Sequence, residues 1–138
     1  MIDLSSKLGI RVARRLDQEL IIWLTTVRAD GTPQPSPVWF LWADQTVLIY
    51  SQPNKQKLRN IAQNPKVALN FNSDQDGGAI AIITGDAQID PQAPPADQIS
   101  AYIEKYRIAI ADLGSTPEGF AQSYSVAIRV TPTSLRGY

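Results

Sequence analysis

The stretch SPVWFLWADQTVLIYSQPNKQKLRNIAQNPKVAL (residues 36–69) holds two strands, a helix and a third strand in one run. SPVWFLWA (36–43) reads as a strand, apolar on both faces, and TVLIYS (46–51) follows as another strand. Only Asp44-Gln45 separates them, the length of a tight hairpin turn. In KQKLRNIAQ (55–63), Leu58, Ile61 and Ala62 fall at i, i+3 and i+4, the spacing of one helix face. Asn64-Pro65 ends that helix, because a residue before proline is pushed out of the α region. KVALNFN (66–72) then alternates, with Val67, Leu69 and Phe71 on one side of a strand.

The same reading extends both ways. LIIWLTTV (20–27) is a β-branched and aromatic strand, apolar on both faces over LIIWL, ending in RADGTPQP, a turn with Asp30-Gly31 and two prolines. Before it, Leu8, Val12 and Leu16 are spaced four apart and predict a short helix with one buried stripe. Beyond the SDQDGG turn, AIAIITGDAQI (79–89) is a fifth strand, with Gly85 marking a bulge or close approach. A longer helix follows the prolines at 91–95. It carries Ile99, Tyr102, Ile103 and Tyr106 on one face and stops at Gly114. TPEGFAQSY leads into a sixth strand, where Val126, Ile128 and Val130 alternate and Pro132 implies an edge or a bulge. Six strands with helical excursions predict a mainly β chain with some α, an antiparallel barrel forming one domain over 1–138. A small barrel buries one face of each strand, so the two-faced apolar strands need a second cover. A homodimer interface or the chain's own helices would supply it.

Composition narrows the chemistry. Apolar residues make up 43% of the 138, enough for a core, while 19% charged is too little for a disordered chain. Thirteen basic and thirteen acidic side chains cancel, so no overall field draws the protein to nucleic acid or to a membrane. No apolar stretch approaches the roughly 20 residues of a membrane span, and the amphipathic N-terminus lacks a signal peptide's apolar centre. A cytoplasmic protein is expected. Histidine and cysteine are both absent, which removes disulfides, thiolate nucleophiles, zinc fingers and histidine-based acid–base chemistry. Asp74, Asp76, Asp86 and Asp90 lie in turns and strand ends without a basic partner at helical spacing, so no catalytic dyad and no metal site is predicted.

Two groups of residues stand out. With Asn54 as N-cap, Lys55 is the first helical residue and Lys57 the third. Exposed cations there oppose the helix dipole by about 0.3–1 kcal/mol each. A bound anion reverses that sign, because N–H groups and two ammonium groups would point at it, with Ser51 adding a hydroxyl from the strand before. The alternative is a solvated basic helix. Trp39, Phe40 and Trp42 are either core or interface aromatics, or a wall along which a planar ligand lies. Phosphate binding beside an aromatic strand, without acid–base residues, suggests that a cofactor carries the reaction.

PVWFLW, a tight turn, TVLIYS and then PNKQKLRNIAQNPKVAL resemble the pyridoxamine 5′-phosphate oxidase-like FMN-binding split-barrel proteins. The subgroup containing coenzyme F420-dependent reductases looks nearest, and the resemblance runs from about Leu20 to the closing strand. It implies a six-stranded split barrel with peripheral helices, forming a homodimer with cofactor sites between subunits. It further implies that Ser51, Lys55 and Lys57 hold the phosphate of FMN or F420, and that Tyr50 matches the residue before the phosphate-binding hydroxyl. Pro37, Val38 and Trp39 would lie along the cofactor ring, with hydride passing to or from a small organic substrate. One departure limits the analogy. True pyridoxamine phosphate oxidases grip substrate with a C-terminal Arg-x-His motif, and this chain has no histidine. Three rivals stand beside this reading. One is a flavin-binding or redox-sensing module without turnover. Another is a haem-binding split barrel, for which only Tyr or Met1 could replace the usual His or Cys ligands. The last is a single-strand-binding barrel, against which the neutral charge argues.

Overall fold

The computed structural model describes residues 2–138; Met1 lies outside it. Its strands are β1 (Ile22–Val27), β2 (Pro33–Val38), β3 (Leu41–Ala43), β4 (Thr46–Ser51), β5 (Lys66–Asn70), β6 (Ala81–Ile89) and β7 (Val126–Gly137). The helices are α1 (Lys7–Gln18), α2 (Gln56–Gln63), α3 (Ser100–Asp112) and α4 (Pro117–Ser123). The strands form one antiparallel sheet in the order β2-β1-β5-β6-β7-β4-β3.

That order explains the shape. β2 and β3 are the two edges of the sheet, yet only Trp39 and Phe40 connect them. The sheet therefore has to curl until its edges nearly meet, and the seam is closed by covalent chain instead of a hydrogen-bond ladder. The result is a split barrel.

The expected single strand over 36–43 is thus two strands, and six become seven. One half pairs with β1 and the other with β4, so the backbone at the break leaves both ladders. α3 supplies the missing partners. The Phe40 N–H donates to the Tyr106 hydroxyl (2.8 Å), which donates in turn to the Leu20 carbonyl (2.7 Å). The Lys105 ammonium donates to the Phe40 carbonyl (2.9 Å) and lies 3.6 Å from the centre of the Phe40 ring. Upstream, β2 begins at Pro33, so two prolines assigned to the turn belong to the strand. Pro33, Pro35 and Pro37 alternate, so their nitrogens face the same way, and the ladder to β1 is left to Gln34, Ser36 and Val38. Only an edge strand tolerates that pattern.

Elsewhere the local readings hold. Asp44 and Gln45 both take positive φ (54° and 62°), as a two-residue type I′ hairpin requires. Between β6 and β7 the register passes from Thr84↔Ser134 to Gly85↔Pro132, leaving Thr133 as the bulged residue. A Cβ on Gly85 would sit 2.5 Å from the Thr131 carbonyl oxygen, so the backbones approach as the glycine suggested. The barrel interior is filled by Val12 and Leu16 of α1 with Ile22, Leu24, Phe40, Val47, Ile49, Leu69, Ile83, Ile128 and Val130. β4 is buried on both faces. Val47 and Ile49 point inward, while Leu48 and Tyr50 join Tyr102, Tyr106, Ile110 and Phe120 of α3 and α4. α3 and α4 therefore cover the outer face of β4.

Candidate functional site

Where β2 and β4 end, beside the start of α2, a cavity of about 430 Å³ opens. Pro37, Val38, Trp39, Tyr50, Ser51, Lys55 and Lys57 all line it, so the structure gathers every predicted site residue around one space. Sequence reasoning missed Ile21, Gln52, Leu113, Phe120 and Tyr124, which complete the wall. A second cavity, about 410 Å³, shares Tyr50, but its charged lining residue Asp90 is committed to Arg129 at 2.7 Å.

The start of α2 differs from expectation by one residue. Asn54 adopts the left-handed conformation (φ 64°) and makes the turn, and Lys55 becomes the N-cap without any side-chain capping bond. Lys57 is then the second helical residue. It is half-buried, and its pKa is pushed down by burial first and by the neighbouring Lys55 charge second. Among the described residues neither lysine has an ion-pair partner, and no carboxylate lines the cavity. Two cations facing an uncapped helix start leave an anion-shaped demand. Arg59 turns away, bonding the Gln56 side chain (2.7 Å) and the Asn54 carbonyl (3.2 Å).

α2 is held in place by a buried residue that carries no signal in its own segment. Asn60, 1% exposed, donates to Thr26 Oγ1 of β1 and Gln34 Oε1 of β2 (2.9 Å each) and accepts from Gln56 Nε2 (2.8 Å). On the β4 side, Ser51 is buried and its hydroxyl donates to the Gln52 carbonyl (2.8 Å). The Tyr50 hydroxyl donates to the Pro94 carbonyl (2.6 Å), and burial pushes its pKa up to about 12. At neutral pH it is therefore a fixed donor.

The aromatic wall is a column of rings. Tyr106 stacks on Trp39 (4.7 Å, 7°), Trp39 on Phe120 (5.3 Å, 15°) and Phe120 on Tyr124 (4.5 Å, 8°). α4 brings the last two. Thr116 caps that helix by accepting from the Gly119 N–H (3.0 Å), and Pro117 opens it. The Thr-Pro-Glu run was the signal for this helix in the sequence.

The aspartates do other work. Asp86 pairs with Lys66 (2.7 Å), Asp90 with Arg129, and Asp74 accepts the Asp76 and Gly78 N–H groups of its own turn. Among the described residues, no three acidic side chains converge as a metal site requires, and no helix is long and apolar enough to cross a membrane.

A curled antiparallel sheet split at one two-residue seam, with helices packed on its outer face, defines the split-barrel class. The sequence matches the pyridoxamine 5′-phosphate oxidase family profile over residues 10–138, and the chain belongs to that family. No curated protein matches the sequence. Among solved structures, an F420 reductase is similar at 26% identity, covering 89% of this chain and 94% of its own, with a TM-score of 0.65. A FAD-binding protein from Mesorhizobium loti shares the fold at 15% identity, with coverage of 91% and 90% and a TM-score of 0.65. The haem storage protein HutZ from Vibrio cholerae does so at 16% identity, with coverage of 96% and 95% and a TM-score of 0.65.

Proposed function

We propose that the protein is a cytoplasmic homodimeric oxidoreductase that binds FMN, with coenzyme F420 as the second choice, and moves a hydride to or from a small conjugated or carbonyl substrate. The observation that carries this reading is the pair Lys55 and Lys57 at the uncapped start of α2, without a carboxylate, in the same cavity as Trp39. A half-buried ammonium beside a second cation is costly unless an anion completes it. Ser51, Lys55 and Lys57 would hold the phosphate, and Tyr50 would brace the strand end through Pro94. Pro37, Val38 and Trp39 would orient the ring, which when bound supplies the redox chemistry. The chain's part is to bind, orient and exclude water, without a side-chain nucleophile.

The choice of FMN rests on α1. A deazaflavin tail of several carboxylates needs an open basic groove, which the basic residues of α1, Lys7, Arg11, Arg14 and Arg15, would have to supply. No α1 residue lines the cavity. Arg15 spends its guanidinium on the Ala79 and Asn72 carbonyls (2.7 Å each) and on Glu19. What favours F420 is the 26% identical F420 reductase. Pyridoxamine phosphate oxidation is not part of the proposal, because the histidine of that substrate grip is missing.

Native mass spectrometry of freshly purified protein tests the whole reading. The expected species is a dimer carrying two equivalents of FMN, or of F420 under the second choice. A monomer that takes up neither cofactor at micromolar excess would overturn it.

A further inference from the structure

Tyr50 lines two cavities, and the second differs from the first in its chemistry. Its volume of about 410 Å³ is in the range of small-molecule sites, and it lies between the end of β6, residues 91–95, α4 and the start of β7. Ile89, Ala93, Ala121 and Ala127 give it apolar walls. Its charge is opposite to that of the first cavity, because Asp90 lines it and no lysine or arginine does. The bond from Arg129 and then that from the Gln92 N–H hold the Asp90 carboxyl below the usual carboxylate range, so it is ionised at neutral pH. Each carboxylate oxygen spends one lone pair on those bonds and keeps another.

The balance of hydrogen-bonding groups points the same way. Pro91, Pro94 and Pro95 also line the cavity, and proline brings a carbonyl but no N–H. Nearby donors are spent within the protein. The Tyr50 hydroxyl donates to the Pro94 carbonyl (2.6 Å), the Asp90 N–H to the Ala127 carbonyl (2.9 Å) and the Ala93 N–H to the Asp90 carbonyl (3.3 Å). The Ser125 hydroxyl can accept as well as donate. A lining rich in acceptors, with a carboxylate and no cation, suits a charged donor and disfavours an anion. We propose that this second cavity is a binding site for a primary organic ammonium ion with an apolar body, such as an arylalkylamine. The ammonium bonds Asp90, and the apolar body lies against Ile89 and the alanines. The two cavities that share Tyr50 thus divide ligands by charge. This site stands independently of the cofactor reading, because Asp90 and the prolines take no part in the first cavity.

The probe is 2-phenylethylamine, with 2-phenylethanol as its uncharged analogue and phenylacetate as the anion. Each is titrated at neutral pH into protein labelled at its alanine methyls and read by NMR. Ala93, Ala121 and Ala127 line the second cavity and no alanine lines the first, so these methyls report where the probe sits. The amine should shift them and bind at least about tenfold tighter than the alcohol, while phenylacetate leaves them unmoved. Asp90→Asn keeps an acceptor and removes the charge, so it should bring the amine to the affinity of the alcohol. Ala93→Phe, which places a ring in the cavity, should abolish amine binding. Thermal unfolding reports whether each variant is folded, and the wild-type comparison needs neither. Equal affinity for amine and alcohol, or alanine methyls unmoved by excess amine, would overturn the site. Phenylacetate binding as tightly as the amine would do the same, as would a folded Asp90→Asn that keeps the full preference for the amine.

Discussion

Lys57 holds a charge half out of water with Lys55 beside it and no counter-ion. In the ligand-free protein burial and the Lys55 charge both lower its pKa, so the charged group costs stability that a bound anion would recover. Lys57→Met should leave the ligand-free melting temperature unchanged or raised while weakening FMN binding at least tenfold. A variant that melts lower and still binds FMN would give Lys57 a structural role. Lys105 permits a second test. Burial depresses its pKa from 10.5 to about 8, with Asp17 pulling weakly the other way. Between those two values the unfolded chain keeps a proton that the folded chain has released, so the stability contributed by this residue rises with pH across that window and falls as pH drops toward 8. The unfolding free energy of wild type minus that of Lys105→Met should therefore increase from pH 8 to pH 10. The tyrosines with raised pKa are common to both proteins and cancel in the difference. A flat profile would remove the buried-ammonium account. Neither lysine's burial is visible from spacing, which places Lys57 at the start of α2 and Lys105 within α3 but gives the depth of neither.

At the scale of elements, the break between β2 and β3 decides where Trp39 sits, and α3 maintains the break. Tyr106→Phe deletes the hydroxyl that serves the Phe40 N–H and the Leu20 carbonyl at once. With both groups left unpaired, the loss should be about 1–3 kcal/mol, measured by urea unfolding. Trp39 fluorescence should shift as its stacking partner loosens. A loss within error would mean that water replaces the hydroxyl and that α3 is not the clamp. Asn60 does for α2 what Tyr106 does for the seam, tying the helix that carries both lysines to Thr26 and Gln34. Asn60→Leu should cost a similar amount, about 1–3 kcal/mol by the same measurement, and an unchanged midpoint would contradict that tie. The sequence revealed the elements through alternation and helical spacing, but it did not reveal these clamps. Val38 to Leu41 is an uninterrupted apolar run with no Gly or Pro to mark a break, and the α3 partners of Phe40 lie 65 and 66 residues away. Asn54 read as a cap because asparagine serves both as cap and as left-handed turn residue, and only the backbone distinguishes the two.

At the scale of the whole molecule, the family pattern and the fold are legible because the strand–helix–strand block of residues 36–69 carries both. The seven predicted site residues converge on one cavity because they lie at the ends of β2 and β4 and the start of α2, which the curl of the sheet brings together. Phe120 and Tyr124 were not legible, since α4 reaches the cavity through tertiary packing that no local spacing encodes. The central claim is that the two lysines exist for a phosphate. Calorimetric titration of FMN against riboflavin, which lacks only that group, into wild type and the Lys55→Ala/Lys57→Ala double variant tests it most directly. Two charge-assisted contacts predict that wild type prefers FMN by about 100-fold or more, and that the double variant binds both ligands at the riboflavin level. Equal affinity of the wild type for FMN and riboflavin, or a double variant that holds FMN as tightly as wild type, would contradict the account.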